Sequence, residues 1–163
     1  GFTSNEISKF YRNSTVTGVD ISSDGIKYAT DNFKNIEFIC QAIEPNNPPL
    51  GSYDLIFCFE FYPFTRTNSF QIHKDYINYF SSQLKDRGRL VIHQAWENDK
   101  SISKNINEIK KKFNSYRFRT HRIPHAKILS FFGNNYLSIF IDIILRFILR
   151  KNHAKAIIIS RDG

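Results

Sequence analysis

Apolar residues alternate along the chain between short continuous runs and segments where they recur every three or four positions. The short runs predict strands, and the recurring positions predict helices with one buried face. Strands are predicted at 15–20, 36–43, 53–61, 89–96, 118–128 and 153–161. Helices are predicted at 3–12, 22–33, 70–84, 101–116 and 136–150. This order predicts an α/β fold: a doubly wound, mostly parallel sheet with helices on both faces and one antiparallel strand near the C-terminus.

Two breaks separate these elements most clearly, a loop with prolines and glycine at 44–52 and a turn at 85–88. The chain has 163 residues, which suit one domain with a substantial core. Because the sequence contains no Met, residue 1 is not expected to be a natural start. We therefore predict a single domain, 1–163, that is incomplete at its N-terminus, with 129–150 as an apolar helical insertion or lid.

The basic composition weakly favours an anionic partner. Lys and Arg number 23 against 15 for Asp and Glu, a net charge of +8. The basic run Lys110–Lys112 could follow phosphates, so nucleic acid is kept as a minority alternative, although no nucleic-acid motif accompanies the run. Cys40 and Cys58 form no spaced framework, and no signal peptide is visible, which favours a reducing, cytoplasmic location.

The stretch TVTGVDISSDG ends a predicted strand in a carboxylate, Asp20, and continues into a predicted helix. Ligands of open α/β sheets bind at the carboxyl ends of strands, so Asp20 is placed to accept hydrogen bonds from a ligand. Asp is also favoured in the N-cap region of a helix. The residues alone leave both interpretations open.

Three segments together resemble class I S-adenosylmethionine-dependent methyltransferases: VTGVDIS (16–22), YDLIFC (53–58) and LKDRGRLVIHQ (84–94). The resemblance covers residues 1–98 well and the remainder loosely. In that family the acid ending the second strand binds both ribose hydroxyls of S-adenosylmethionine, which implies that role for Asp20. The family's first strand and most of its glycine-rich loop have no counterpart, and Gly1 falls where the loop's middle glycine would lie.

The resemblance implies further cofactor contacts at the ends of neighbouring strands. Ile21 follows the ribose-binding acid. Gln41 and Ala42 fall where the family usually has an Asp-Ala-like pair beside the adenine, and an amide can still reach an adenine amino group. An ordinary exposed strand end is the alternative for Gln41. Cys58 and Phe59 fall where the family's backbone approaches the methionyl part, and Cys58 is not expected to act as a nucleophile.

The segment FEFYPFTRT (59–67) lies where such proteins line the methyl acceptor. Glu60, Tyr62 and Arg66 are candidates to orient an acceptor, with Glu60 also a candidate catalytic group. His93 is a candidate base, which is needed only if the acceptor arrives protonated. Trp96 is a candidate wall of the acceptor pocket. The alternatives are an Arg66–Glu60 pair in a packed loop, a hydrogen-bonded core histidine and simple packing of Trp96. No metal ligands are predicted.

The segment YLSIFIDIILRFILR (136–150) is predicted to be an apolar helix with one narrow polar stripe. It is too short and too charged to cross a membrane. A core helix is one interpretation, and a lid, a homodimer interface or a membrane-surface contact are the others.

The sequence therefore predicts a cytoplasmic enzyme that transfers a methyl group from S-adenosylmethionine to a small-molecule or lipophilic acceptor. One alternative is a non-catalytic methyltransferase-like remnant that binds nucleic acid or a partner protein. Another is a nicotinamide-binding Rossmann protein, which also places an acid at the end of its second strand.

Overall fold

The computed structural model describes residues 1–94, 101–123 and 154–161. The chain divides into two compact units, Gly1–Asn47 and Pro48–Gly163. The predicted α/β class with a mostly parallel sheet is confirmed, including an antiparallel strand near the C-terminus. Trp96 and the predicted insertion at 129–150 lie outside the described residues.

The first unit contains two short parallel strands and two helices. Strands β1 (Thr17–Asp20) and β2 (Glu37–Cys40) pair in register from Thr17 with Glu37 to Asp20 with Cys40. Helix α1 spans Phe2–Phe10 and helix α2 spans Ser23–Asn32. The N-cap of α2 is Ser22, whose hydroxyl oxygen accepts the Gly25 N–H at 3.1 Å.

The second unit is built on a four-stranded sheet in the order β3-β4-β6-β5. The strands are β3 (Tyr53–Phe59), β4 (Leu84–Gln94), β5 (Tyr116–Ile123) and β6 (Ala154–Arg161). The helices are α3 (Tyr62–Thr65), α4 (Phe70–Ser82) and α5 (Ile102–Lys112). Strand β3 runs parallel to β4, whereas β6 is antiparallel to both of its neighbours.

The two faces of this sheet differ in burial because side chains alternate along each strand. One face carries buried apolar residues of the central strands, including Leu90, Ile92 and Ile157, and helix α4 contacts both β4 and α5. The opposite face carries Phe59, which is exposed, and His93, which is partly exposed. Phe59 and His93 therefore lie on the less buried face, at the ends of their strands.

Two local features differ from the sequence predictions. The predicted turn at 85–88 is contained in β4 as a bulge, because the pairing moves from Tyr53 with Leu84 directly to Leu55 with Arg89. The segment after β3, predicted only as a lining segment, forms the short helix α3 with Pro63 in its first turn. Proline is tolerated there because the N–H groups of the first turn have no partner within the helix.

Candidate functional site

Asp20 and Gln41 lie together at the carboxyl ends of β1 and β2. The Gln41 N–H donates to the Asp20 carbonyl oxygen at 2.9 Å, which extends the strand pairing by one residue. The Asp20 carboxylate is exposed, and its Oδ1 accepts the Ser22 N–H at 2.9 Å. Ser22 is the N-cap of helix α2, so Asp20 lies two residues before the N-cap and contacts the N-cap region through the Ser22 N–H. Its carboxylate also stands at the carboxyl end of a parallel strand pair.

The neighbouring residues of the first unit are placed as follows. Ile21 is 73% exposed directly after Asp20. Ala42 follows Gln41, and its carbonyl oxygen accepts the Asn47 side-chain amide at 3.0 Å. Gly1 is the N-cap of α1, and a Cβ atom there would lie 2.7 Å from the Ala29 Cβ. Glycine at this position thus allows α1 and α2 to approach closely.

Glu60 and His93 meet at the corresponding strand ends of the second unit. Phe59 pairs with His93 in the register of β3 and β4, and the Glu60 N–H donates to the His93 carbonyl oxygen at 3.2 Å. The Glu60 Oε1 lies 3.6 Å from the His93 Nδ1. Sequence reasoning named both residues but not their contact. The two predicted parallel strands place both residues near one edge of the sheet, but they do not give the register that brings the two side chains into contact.

Two aromatic rings lie beside this pair on the same face of the sheet. Phe57 and Phe59 stack with ring centroids 5.6 Å apart and planes 19° from parallel. The Phe59 ring lies 5.4 Å from the His93 imidazole. Since Phe59 is 43% exposed, its ring offers an apolar surface beside the Glu60–His93 contact.

The other candidate site residues of the second unit differ in how far they are buried. Cys58 is buried, and burial raises the pKa of its thiol far above the usual range, so it is inert as a nucleophile. Tyr62 is 66% exposed at the first position of α3. Arg66 is exposed and forms the C-cap of the same helix. Tyr62 and Arg66 are therefore accessible to a ligand, whereas the Cys58 side chain is not.

A polar network around the buried side chains of Gln94 and His73 in the second unit was not predicted from the sequence. The Gln94 side-chain amide donates to the Phe64 carbonyl oxygen at 3.0 Å, and the Ser103 hydroxyl donates to Gln94 at 2.8 Å. The Asn105 amide donates to the Asn68 carbonyl oxygen at 2.7 Å and contacts the His73 Nδ1 at 3.1 Å. These bonds tie the 64–68 segment to β4, α4 and α5. The polar Gln94 in an apolar run was the available signal.

The part of the chain that the structure describes contains no group of three His, Cys, Asp or Glu side chains placed to hold a metal ion. Within the same residues, no helix is long and apolar enough to cross a membrane.

Comparison with known proteins identifies the class. Residues 1–156 match the family model described as a methyltransferase domain. None of the curated protein sequences matches the chain. The chain therefore belongs to the methyltransferase domain family, in the class I group that depends on S-adenosylmethionine. This family assignment replaces the alternative of a nicotinamide-binding Rossmann protein.

Solved structures share this fold at low sequence identity. The plantazolicin methyltransferase BpumL, in complex with a pentazolic desmethylPZN analog and SAH, has a TM-score of 0.62 and 13% identity over 98% of this chain and 72% of its own. The N-methyltransferase NodS from Bradyrhizobium japonicum WM9, in complex with SAH, has a TM-score of 0.56 and 12% identity, over 91% of this chain and 67% of its own. Residues 961–1257 of the StiE O-MT have a TM-score of 0.58 and 10% identity, over 96% of this chain and 62% of that one.

Proposed function

We propose that this chain binds S-adenosylmethionine and transfers its methyl group to a small-molecule or lipophilic acceptor. The observation that carries the proposal is the exposed carboxylate of Asp20 at the carboxyl end of a parallel strand in a methyltransferase-family chain. The BpumL and NodS structures named above contain SAH, the demethylated form of that donor.

The geometry around Asp20 fits a ribose. A carboxylate has about four lone-pair sites, and the bond from the Ser22 N–H to Oδ1 leaves Oδ2 for a hydroxyl of a cis-diol. Gln41 lies beside Asp20, where its amide can reach an adenine, and the exposed Ile21 provides an apolar contact for the base. Gly1, Ala42 and the backbone at Cys58 and Phe59 are the remaining proposed cofactor contacts.

The proposed acceptor side uses residues after β3 and at the end of β4. Glu60 and His93 are the proposed catalytic pair, and Tyr62 and Arg66 are the proposed contacts that orient the acceptor. Trp96 keeps its predicted role as a wall, although it lies outside the described residues. When bound, S-adenosylmethionine supplies an electrophilic methyl carbon, so this chain's own residues have mainly to position the acceptor and exclude water.

The first experiment is calorimetric titration of S-adenosylhomocysteine into the chain and three variants. Asp20→Asn keeps an acceptor for the Ser22 N–H but removes the charge, and Asp20→Ala removes both. Asp31→Ala is the matched control, because Asp31 is an exposed carboxylate on helix α2. Charged hydrogen bonds contribute about 1.5–3 kcal/mol, so both Asp20 variants are expected to bind about 10- to 100-fold more weakly.

The outcomes separate the candidate functions. Equal binding by the wild type and both Asp20 variants would exclude the ribose role. No binding by any protein would favour the non-catalytic remnant. The net charge of +8 gives that alternative a specific test, because binding to RNA would then weaken steeply as salt is added. The cytoplasmic location and a homodimer or membrane-surface contact through 136–150 stay predictions.

A further inference from the structure

We propose that Glu60 and His93 form a proton-accepting pair for an acceptor hydroxyl that is carried on a flat apolar body. In this arrangement His93 is the base and Glu60 is the residue that positions it. The inference rests on the proposed methyl transfer and adds to it a class of acceptor, an aromatic alcohol.

The backbone fixes the two residues at the same height in the sheet. Phe59 and His93 are partners in the parallel ladder, and the bond from the Glu60 N–H to the His93 carbonyl oxygen continues that ladder past the end of β3. The side chains then approach to 3.6 Å between Glu60 Oε1 and His93 Nδ1. The carboxylate therefore faces one particular nitrogen of the ring.

The two nitrogens of the His93 imidazole have different roles in this proposal. The His93 side chain is 26% exposed, yet its Nδ1 is buried and has no hydrogen-bond partner among the described residues. A closing movement of a few tenths of an ångström would give an Nδ1–H donor to Glu60. A neutral imidazole has one donor and one acceptor, so Nε2 is left with the lone pair that receives a proton.

The backbone of Glu60 is an independent observation at the same place. Its φ of 47° lies in the left-handed region, where non-glycine residues are uncommon and cost about 1–2 kcal/mol. Such strain persists where surrounding structure enforces it, and it concentrates at functional sites. Glycine would relieve the strain, but it would remove the carboxylate that faces His93.

The surface beside the pair indicates the body of the acceptor. The stacked rings of Phe57 and Phe59 lead to His93, and the exposed part of Phe59 can stack against another flat ring. The pair itself indicates the reacting atom. A neutral amine can attack without a base, whereas a hydroxyl must lose its proton as the new bond forms.

The step balances with the groups named. The hydroxyl proton passes to His93 Nε2, and the acceptor oxygen forms a bond to the methyl carbon. The carbon–sulfur bond breaks, and its electron pair goes to sulfur. The imidazolium that results is stabilised by the Glu60 carboxylate and then loses its proton to water.

The first test reads the histidine ring without any turnover. In the isotope-labelled full chain, two-bond ¹H–¹⁵N spectra distinguish Nδ1–H from Nε2–H imidazole at alkaline pH. The signals of His93 are assigned by their loss in His93→Asn, because the chain has 5 histidines. We expect the Nδ1–H form in the wild type and a loss of this preference in Glu60→Ala. An Nε2–H form in the wild type would overturn the pair whatever the activity.

The second test measures methyl transfer from tritiated S-adenosylmethionine to 2-naphthol and to its amine counterpart, 2-naphthylamine. We expect methylation of 2-naphthol only, with kcat lowered about 100-fold in His93→Asn and about tenfold in Glu60→Gln, with KM little changed. Glu108→Gln is the control, because Glu108 is an exposed carboxylate of the same unit that pairs with Lys111, three residues further along, at 3.0 Å.

Each remaining outcome has a defined meaning. Faster methylation of the amine, or equal rates in the wild type and His93→Asn, would overturn the hydroxyl class. A chain that binds S-adenosylhomocysteine but methylates neither naphthalene compound would overturn the flat acceptor. Failure to bind S-adenosylhomocysteine would overturn the proposed function instead, while the ring spectra would still decide whether the pair exists.

Discussion

At the scale of single residues, two residues other than glycine have a left-handed backbone conformation in the described part of the chain. Glu60 has a φ of 47° and Arg87 a φ of 63°. Arg87 is exposed in the bulge of β4, far along the strand from His93, whereas Glu60 faces His93. The same backbone strain therefore occurs once inside the proposed acceptor site and once outside it.

This contrast gives the first prediction, on Arg87→Gly. Relief of the strain is offset in part by the greater freedom of glycine in the unfolded chain, so the free energy of unfolding should rise by about 0.5–1 kcal/mol. Urea denaturation measures it. Methyl transfer should be unchanged in Arg87→Gly, while Glu60→Gly should lower it at least about tenfold, as expected for Glu60→Gln, without losing its fold. Destabilisation by Arg87→Gly would show that its left-handed backbone carries no strain.

The sequence could name Glu60 and His93 but not their contact. Each residue stood at the end of an apolar run, which is a local pattern. Their distance depends on the register between two strands about thirty residues apart, and no local pattern encodes that register. Asp20 was easier to predict, because its surroundings, a strand end followed by a helix start, are all local.

At the scale of elements, the apolar patterns predicted every described strand and the four longer helices to within a few residues. The exceptions have physical causes. Helix α3 is a single turn, too short to show a period, and the bulge at 85–88 arises from its pairing with β3. The polar network joins side chains of β4, α4 and α5 to backbone carbonyls of the 64–68 segment, so a single stretch of sequence shows only one sign of it, the polar Gln94.

The His73 network gives a prediction of pH dependence. Burial lowers the pKa of His73 from its usual 6.5, opposed in part by hydrogen bonding to the Pro63 and Thr67 backbone. Below pH 6.5 the unfolded chain binds a proton that the folded chain does not. The contribution to stability is therefore present above pH 6.5 and lost as pH falls below it, by at most about 1.4 kcal/mol per pH unit.

The measurement is urea unfolding between pH 5 and pH 7.5 for the wild type and His73→Gln. Glutamine fills similar space and can still bond Asn105, but it does not titrate. The remaining histidines are common to both proteins and cancel in the comparison. The wild type should lose more stability towards pH 5 than the variant. If the free energy of unfolding falls equally with pH in both proteins, a neutral, buried His73 is not the cause of the pH dependence.

At the scale of the whole molecule, the two cysteines report separately on the two compact units. Cys40 ends β2 in Gly1–Asn47 and is exposed, with its Sγ 3.7 Å from the Ile21 carbonyl oxygen. Cys58 is buried within β3 in Pro48–Gly163, and burial raises the pKa of its thiol. Because the thiolate is the reactive form, Cys58 is protected both by lack of access and by its charge state.

Iodoacetamide at pH 8 should therefore modify Cys40 in the folded protein and Cys58 only after Pro48–Gly163 unfolds. Peptide mass spectrometry on samples taken along a urea series assigns each modification. The Cys40→Ser variant, followed by fluorescence, shows whether modification of Cys40 itself perturbs the fold. Rapid modification of Cys58 without urea would contradict the burial of β3. The Glu60–His93 pair would then lose its support, because it stands at the end of that strand and depends on the same ladder with β4.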